Sequence, residues 1–155
     1  MQKPVRHVAH LNVARLRALP GDPLVAEFID NVDKVNAVAE RSPGFVWRWT
    51  DEAARVSSDL TFEALFNDPL MAASLSVRET VADLRYFVHQ TVHGGFVRRR
   101  ETWFEPAVGP AYVLWMIEKG QVPTVSEGCS RLARLAELGP TDQAFDFTYS
   151  LKSAE

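Results

Sequence analysis

Strand-like and helix-like segments succeed one another along this 155-residue chain in the order β-α-β-β-α-β-α-β, which predicts an α+β fold. Three observations carry that reading. Short stretches alternate apolar and polar residues with period two. Longer amphipathic stretches with a period near 3.6 lie between them, and Pro, Gly and capping residues mark the joins. The first six segments follow the split βαβ order of ferredoxin-like folds, an antiparallel sheet with helices on one face. At 17.4 kDa, residues 1–155 are expected to form a single domain.

The first strand is His7 to Ala14, with Val8, His10, Asn12 and Ala14 on one face and His7, Ala9, Leu11 and Val13 on the other. Asp22 suits an N-cap and Pro23 the first helical position. Leu24, Phe28, Val32, Val35 and Ala39 then form an apolar stripe that Ser42-Pro43-Gly44 ends. Phe45 to Thr50 is a second strand, expected to place Phe45, Trp47 and Trp49 on one face. Residues 51–70 are the least regular, with a short turn of helix near Phe62, Leu65 and Phe66. Met71 to Glu79 is a third strand. Thr80 and Asp83 open a helix whose core stripe is Val81, Leu84, Val88 and Val92. Gly94-Gly95 interrupts it, and Phe96 to Phe104 resumes a helical path. Ala111 to Glu118 is a fourth strand. Thr124 and Glu127 cap a helix ending at Leu138 before Gly139-Pro140. Ala144 to Tyr149 is read as a last strand, with Phe145, Phe147 and Tyr149 on one face.

Composition narrows the function classes. Seventeen basic and 20 acidic residues give a net charge of -3, divided evenly along the chain, so a nucleic-acid footprint is not expected. Cys129 is the single cysteine, which excludes an internal disulfide framework and a multi-cysteine zinc site. No apolar run approaches the ~20 residues of a membrane span, and with the polar opening Met1-Gln2-Lys3-Pro4 a signal peptide is not expected. A cytoplasmic protein is expected. No phosphate loop, dinucleotide fingerprint or nucleophile elbow occurs.

Three groups of residues point to a site. His10 and Asn12 share a strand face, and polar residues kept on an inward face suit a wet cavity. His89 and His93 lie four apart on a helix and so share a face. A metal there lacks the general-base Glu, because Gln90 follows His89, and no third ligand is near in sequence; no metal is expected. Trp47, Trp49, Trp103 and Trp115, with Phe45 and Tyr112, form an aromatic-rich interior suited to planar ligands or to a plain core and interface. Arg98-Arg99-Arg100 reads as a solvated face. The aromatic residues on strand faces exceed what one helical layer covers, so two sheets are expected to pair about a two-fold axis as a homodimer.

Five stretches carry a resemblance: Asn12-Val-Ala-Arg15, Ala39-Glu-Arg-Ser-Pro-Gly-Phe-Val-Trp-Arg48, Ser74-Leu-Ser-Val77, His93-Gly-Gly-Phe-Val-Arg-Arg-Arg-Glu-Thr-Trp103-Phe-Glu-Pro106 and Pro123-Thr-Val-Ser-Glu127. Together they resemble an uncharacterised domain-of-unknown-function family of small bacterial proteins. That family is similar to the dimeric α/β-barrel superfamily of antibiotic-biosynthesis monooxygenases, haem-degrading oxygenases and muconolactone-isomerase-like enzymes. The resemblance implies a small-molecule enzyme, monooxygenase-like or isomerase-like, acting on a planar organic substrate. It implies His93, Asn12 and His10 as catalytic residues, with Trp47, Trp49, Arg78, His89 and Trp103 around the substrate. Arg78 stands where relatives carry an aromatic residue, which would put a cation at the cavity. Many members of the superfamily work without a cofactor, because an electron-rich substrate activates oxygen itself; in haem-binding members the axial histidine corresponds most nearly to His93. The alternative is a non-catalytic ligand-binding or haem-binding dimer.

Overall fold

A computed structural model describes residues 5–50, 66–90 and 99–153. Strands β1 (Arg6–Arg15), β2 (Phe45–Arg48), β3 (Met71–Arg78) and β4 (Tyr112–Glu118) form one antiparallel sheet in the order β2-β3-β1-β4. Helix α1 (Ala26–Arg41) joins β1 to β2, and α2 (Val81–Gln90) follows β3. This is the ferredoxin-like arrangement, with β1 at the centre between β3 and β4. Three more helices complete the described residues: a short α3 (Arg100–Trp103), α4 (Val125–Leu138) and α5 (Phe147–Ser153).

The period-two pattern of β1 divides the core. Its even residues face α1 and α2. Val8 packs there with Ala39, Leu84, Phe87, Val88 and Leu114. Farther along the same face, Ala14 and Ala72 pack against Val25, Phe28, Trp103 and Phe104. The odd residues Ala9 and Leu11 face the other way and pack with Leu75, Val77, Trp115, Val125 and Leu135. Helix α4 covers that second face over β4 and β1. Gly128 permits its approach: a Cβ there would lie 3.2 Å from Leu11 Cδ2 and 3.4 Å from Trp115 Cη2.

Local signals account for the helix starts. The Asp22 side chain accepts from Leu24 N, but the first turn is a 3-10 turn, Pro23–Val25, with the α-helix beginning at Ala26. Thr80 Oγ1 accepts from Asp83 N, and Thr124 Oγ1 accepts from Glu127 N, each at 3.0 Å. Of the expected helix Phe96 to Phe104, the described part is α3, Arg100–Trp103. The interruption at Gly94-Gly95 and the turn near Phe62 and Leu65 lie outside the described residues.

Two expectations are corrected. The first is the shared face of Phe45, Trp47 and Trp49. Phe45 pairs with Arg78 but Trp47 with Val77, so a bulge between them shifts the register. One extra residue reverses the facing of everything beyond it. Phe45 therefore lies on the α1/α2 side, and Trp47 and Trp49 pack against the opposite cluster. The second is the last strand, Ala144 to Tyr149. Only isolated bridges form, Phe145 with Leu114 and Ala144 with Thr141. Asp146 then caps a helix: its Oδ1 accepts from Tyr149 N at 2.8 Å, and its carbonyl accepts from Ser150 N. The turn into that helix brings the Phe145 and Tyr149 rings together, with centroids 5.6 Å apart.

Candidate functional site

On the even face of β1 two polar residues lie between apolar ones. Val8 belongs to one apolar cluster and Ala14 to another, and His10 and Asn12 lie between. Register extends this seam across the sheet, because directly opposed residues of antiparallel strands share a face. His10 is opposite Ser76 of β3 and Asn12 is opposite Ser74. On the other side Asn12 is opposite Tyr112 of β4. His10 is buried; Asn12, Ser76 and Tyr112 are half-buried; Ser74 is exposed. The seam thus runs from a closed end at His10 to an open end at Ser74.

Tyr112 is the most constrained member. Its ring meets His10 edge-on at 5.9 Å and Phe147 at 5.3 Å. Its hydroxyl oxygen accepts from Phe147 N at 3.1 Å. Burial pushes the phenol above its ordinary pKa, against the opposing hydrogen bond from Phe147, so it is protonated at neutral pH. Arg85 holds Phe147 from the other side: its Nη2 donates to the Phe147 carbonyl at 3.2 Å and to Ser150 Oγ at 3.0 Å.

The other expected site residues fall in different places. His89 is exposed at the end of α2, its ring edge-on to Phe147 at 5.7 Å, and so neighbours the seam through that ring. Trp103 is buried in the cluster around Ala14 and Ala72, tilted against Phe28 at 5.8 Å with Arg99 stacked over it at 4.9 Å. Trp47 and Trp49 lie on the opposite side of the sheet from His10 and Asn12, edge-on to each other at 6.5 Å. His93 lies outside the described residues.

Arg78 ties the end of β3 to the last turn of α1. It is almost fully buried, 1% exposed, with its guanidinium between Phe87 at 4.5 Å and Phe45 at 5.4 Å. Its Nη2 donates to the Ala39 carbonyl at 3.0 Å, and Nη1 reaches the Ser42 and Pro43 carbonyls at 3.4 and 3.5 Å. A cation at the last carbonyls of α1 complements the helix dipole. Burial lowers its pKa, partly offset by the charge of Asp83.

Among the described residues, no group of three or more His, Cys, Asp or Glu side chains is placed to hold a metal ion. No helix among them is long and apolar enough to cross a membrane. Sequence reasoning placed Tyr112 only in the aromatic interior and passed over Ser74 and Ser76. The Ser-Leu-Ser alternation was the available signal, but it acquires meaning only through the β1–β3 register.

The class defined by this architecture is therefore a ferredoxin-like α+β protein with a polar seam on one face of its sheet. Residues 7–155 match the model of a domain of unknown function, DUF3291, and the chain belongs to that family. Two solved structures from Nitrosomonas europaea are similar. One, a protein of unknown function, is 11% identical, with 78% of this chain and 96% of that one covered and a TM-score of 0.48. The other, provisionally named an antibiotic biosynthesis monooxygenase, is 14% identical, with 80% and 98% covered and a TM-score of 0.45. No curated protein matches the chain.

Proposed function

We propose that the seam binds a planar organic molecule and that the protein is a small-molecule enzyme of monooxygenase-like or isomerase-like type. The observation that supports this best is the placement of His10, Asn12, Ser76 and Tyr112 on one sheet face, flanked by apolar clusters. Apolar walls with a few convergent polar groups suit a ring system carrying oxygen substituents.

In this reading a histidine of the seam, His10, removes a proton from an acidic C–H or phenolic O–H of the substrate. The Asn12 amide donates to the oxygen on which negative charge develops. Proton return at another carbon gives an isomerase. Reaction of the electron-rich anion with dioxygen gives a monooxygenase: a CH2 group becomes C=O, and the second oxygen atom leaves as water. His93 remains a proposed partner in proton transfer, carried over from the family resemblance. We also propose a homodimer, formed where the half-buried Trp47 and Trp49 extend the sheet face beyond α4.

The test is oxygen uptake and product analysis with electron-rich hydroxylated aromatics. Turnover that falls ~10²–10⁴-fold in His10→Ala supports the enzyme reading. Tight binding of the same compounds without turnover favours a ligand-binding protein, and a Soret band in the purified protein favours haem. No turnover and no binding contradict the proposal.

A further inference from the structure

The hydroxyl of Tyr112 has one committed role and one open one. Its oxygen accepts from Phe147 N, which occupies a lone pair and leaves the phenolic proton to be donated. No second hydrogen-bond partner meets that hydroxyl among the described residues. The orientation is fixed from two sides. The Phe147 backbone is held by Arg85 at its carbonyl and by Tyr112 at its amide, and the Tyr112 ring rests between Phe147 and His10. Tyr112 stands opposite Asn12 in the β1–β4 register, so its side chain and the Asn12 amide rise from adjacent strands on one face. Raised above its ordinary pKa by burial, the phenol keeps its proton at neutral pH.

We infer that Tyr112 is a ligand-binding residue of the seam, donating its phenolic proton to an oxygen atom of the bound planar molecule beside Asn12. This deepens the reading of the seam as a ligand site and rests on it. It narrows the ligand class to planar molecules that carry a carbonyl or ionised hydroxyl at the ring edge. A ring lacking oxygen would leave the Asn12 amide and the Tyr112 hydroxyl without partners as water is displaced. The Phe147 N–H donated to the same oxygen polarises the phenol and strengthens it as a donor.

The experiment compares a dihydroxyanthraquinone with anthracene, binding read from quenching of tryptophan fluorescence. Tyr112→Phe keeps the ring and removes only the hydroxyl. It is expected to weaken quinone binding about three- to tenfold and to leave anthracene binding within about twofold. Equal weakening of both probes, or no change in either, overturns the inference. His10→Ala and Asn12→Ala separate the two levels of the argument. If these weaken quinone binding and Tyr112→Phe does not, the seam stands and the role of Tyr112 falls. If none of the three matters, or the wild type binds neither probe, the seam reading falls as well. An unfolding midpoint measured for each variant identifies any loss of fold, in which case Tyr112→Leu, which has no donor and keeps an apolar side chain, is read in the same way.

Discussion

Arg78 Nη2 donates to the carbonyl oxygen of Ala39 at 3.0 Å, joining the end of β3 to the last turn of α1. The contact closes the helix with a fixed cation held between two aromatic rings. Lysine would keep the charge but lose the planar fork and the stacking. Arg78→Lys is expected to cost about 1–3 kcal/mol of stability, and Arg78→Ala about 2–4 kcal/mol. Denaturant unfolding measures both. Ligand affinity is expected to stay unchanged in Arg78→Lys, and a large loss of affinity in a fully folded variant would give Arg78 a role in binding as well.

Gly128 tests the placement of α4 on the second sheet face. Ala there gains up to ~1 kcal/mol of helix propensity. Its methyl would press on Leu11 at 3.2 Å, so the net change is expected to be small. Val adds bulk that neither Leu11 nor Trp115 can yield to, and should cost about 1–3 kcal/mol. Equal stability of the Ala and Val variants would contradict the close approach.

Much of this fold was legible in the chain. Caps at Asp22, Thr80 and Thr124 and the alternation of β1 are local signals, and local geometry realises them. Trp47 was misplaced because a bulge is set by pairing with β3, which no local pattern in Phe45 to Trp49 reveals. Asp146 was overlooked because Phe145, Phe147 and Tyr149 alternate as strand residues do, although Asp is a good cap. In the seam, His10 and Asn12 were legible from β1 alone. Ser76 and Tyr112 join them only once the register of three strands is known.

Acid should weaken the tie between β1 and the turn before β3. The Asp68 carboxylate accepts from Leu70 N and from Arg15 Nε, and these bonds hold its pKa below the ordinary carboxylate value. A depressed pKa contributes stability above the ordinary value, lost as pH falls through the folded one. Asp68→Asn keeps an acceptor for Leu70 but loses the charge. The stability gap between wild type and Asp68→Asn is expected to be greatest at neutral pH and to close as pH falls below the ordinary carboxylate range. Added salt should narrow it, because the pair is partly exposed. A gap independent of pH would contradict the account.

The proposed homodimer predicts a sedimentation mass twice that of the chain at micromolar concentration. Replacing Trp47 by Glu should shift it toward monomer if the contact lies beyond α4. A wild type that sediments as a monomer would contradict the proposal.

The seam on the α1/α2 side of the sheet is the centre of this account, and side-chain NMR shift mapping with a dihydroxyanthraquinone tests it most directly. Saturable shifts are expected at His10, Asn12 and Tyr112, with Trp47 and Trp49 on the other face unmoved. Shifts confined to Trp47 and Trp49, with His10 and Asn12 silent, would place the ligand on the wrong side of the sheet and contradict it.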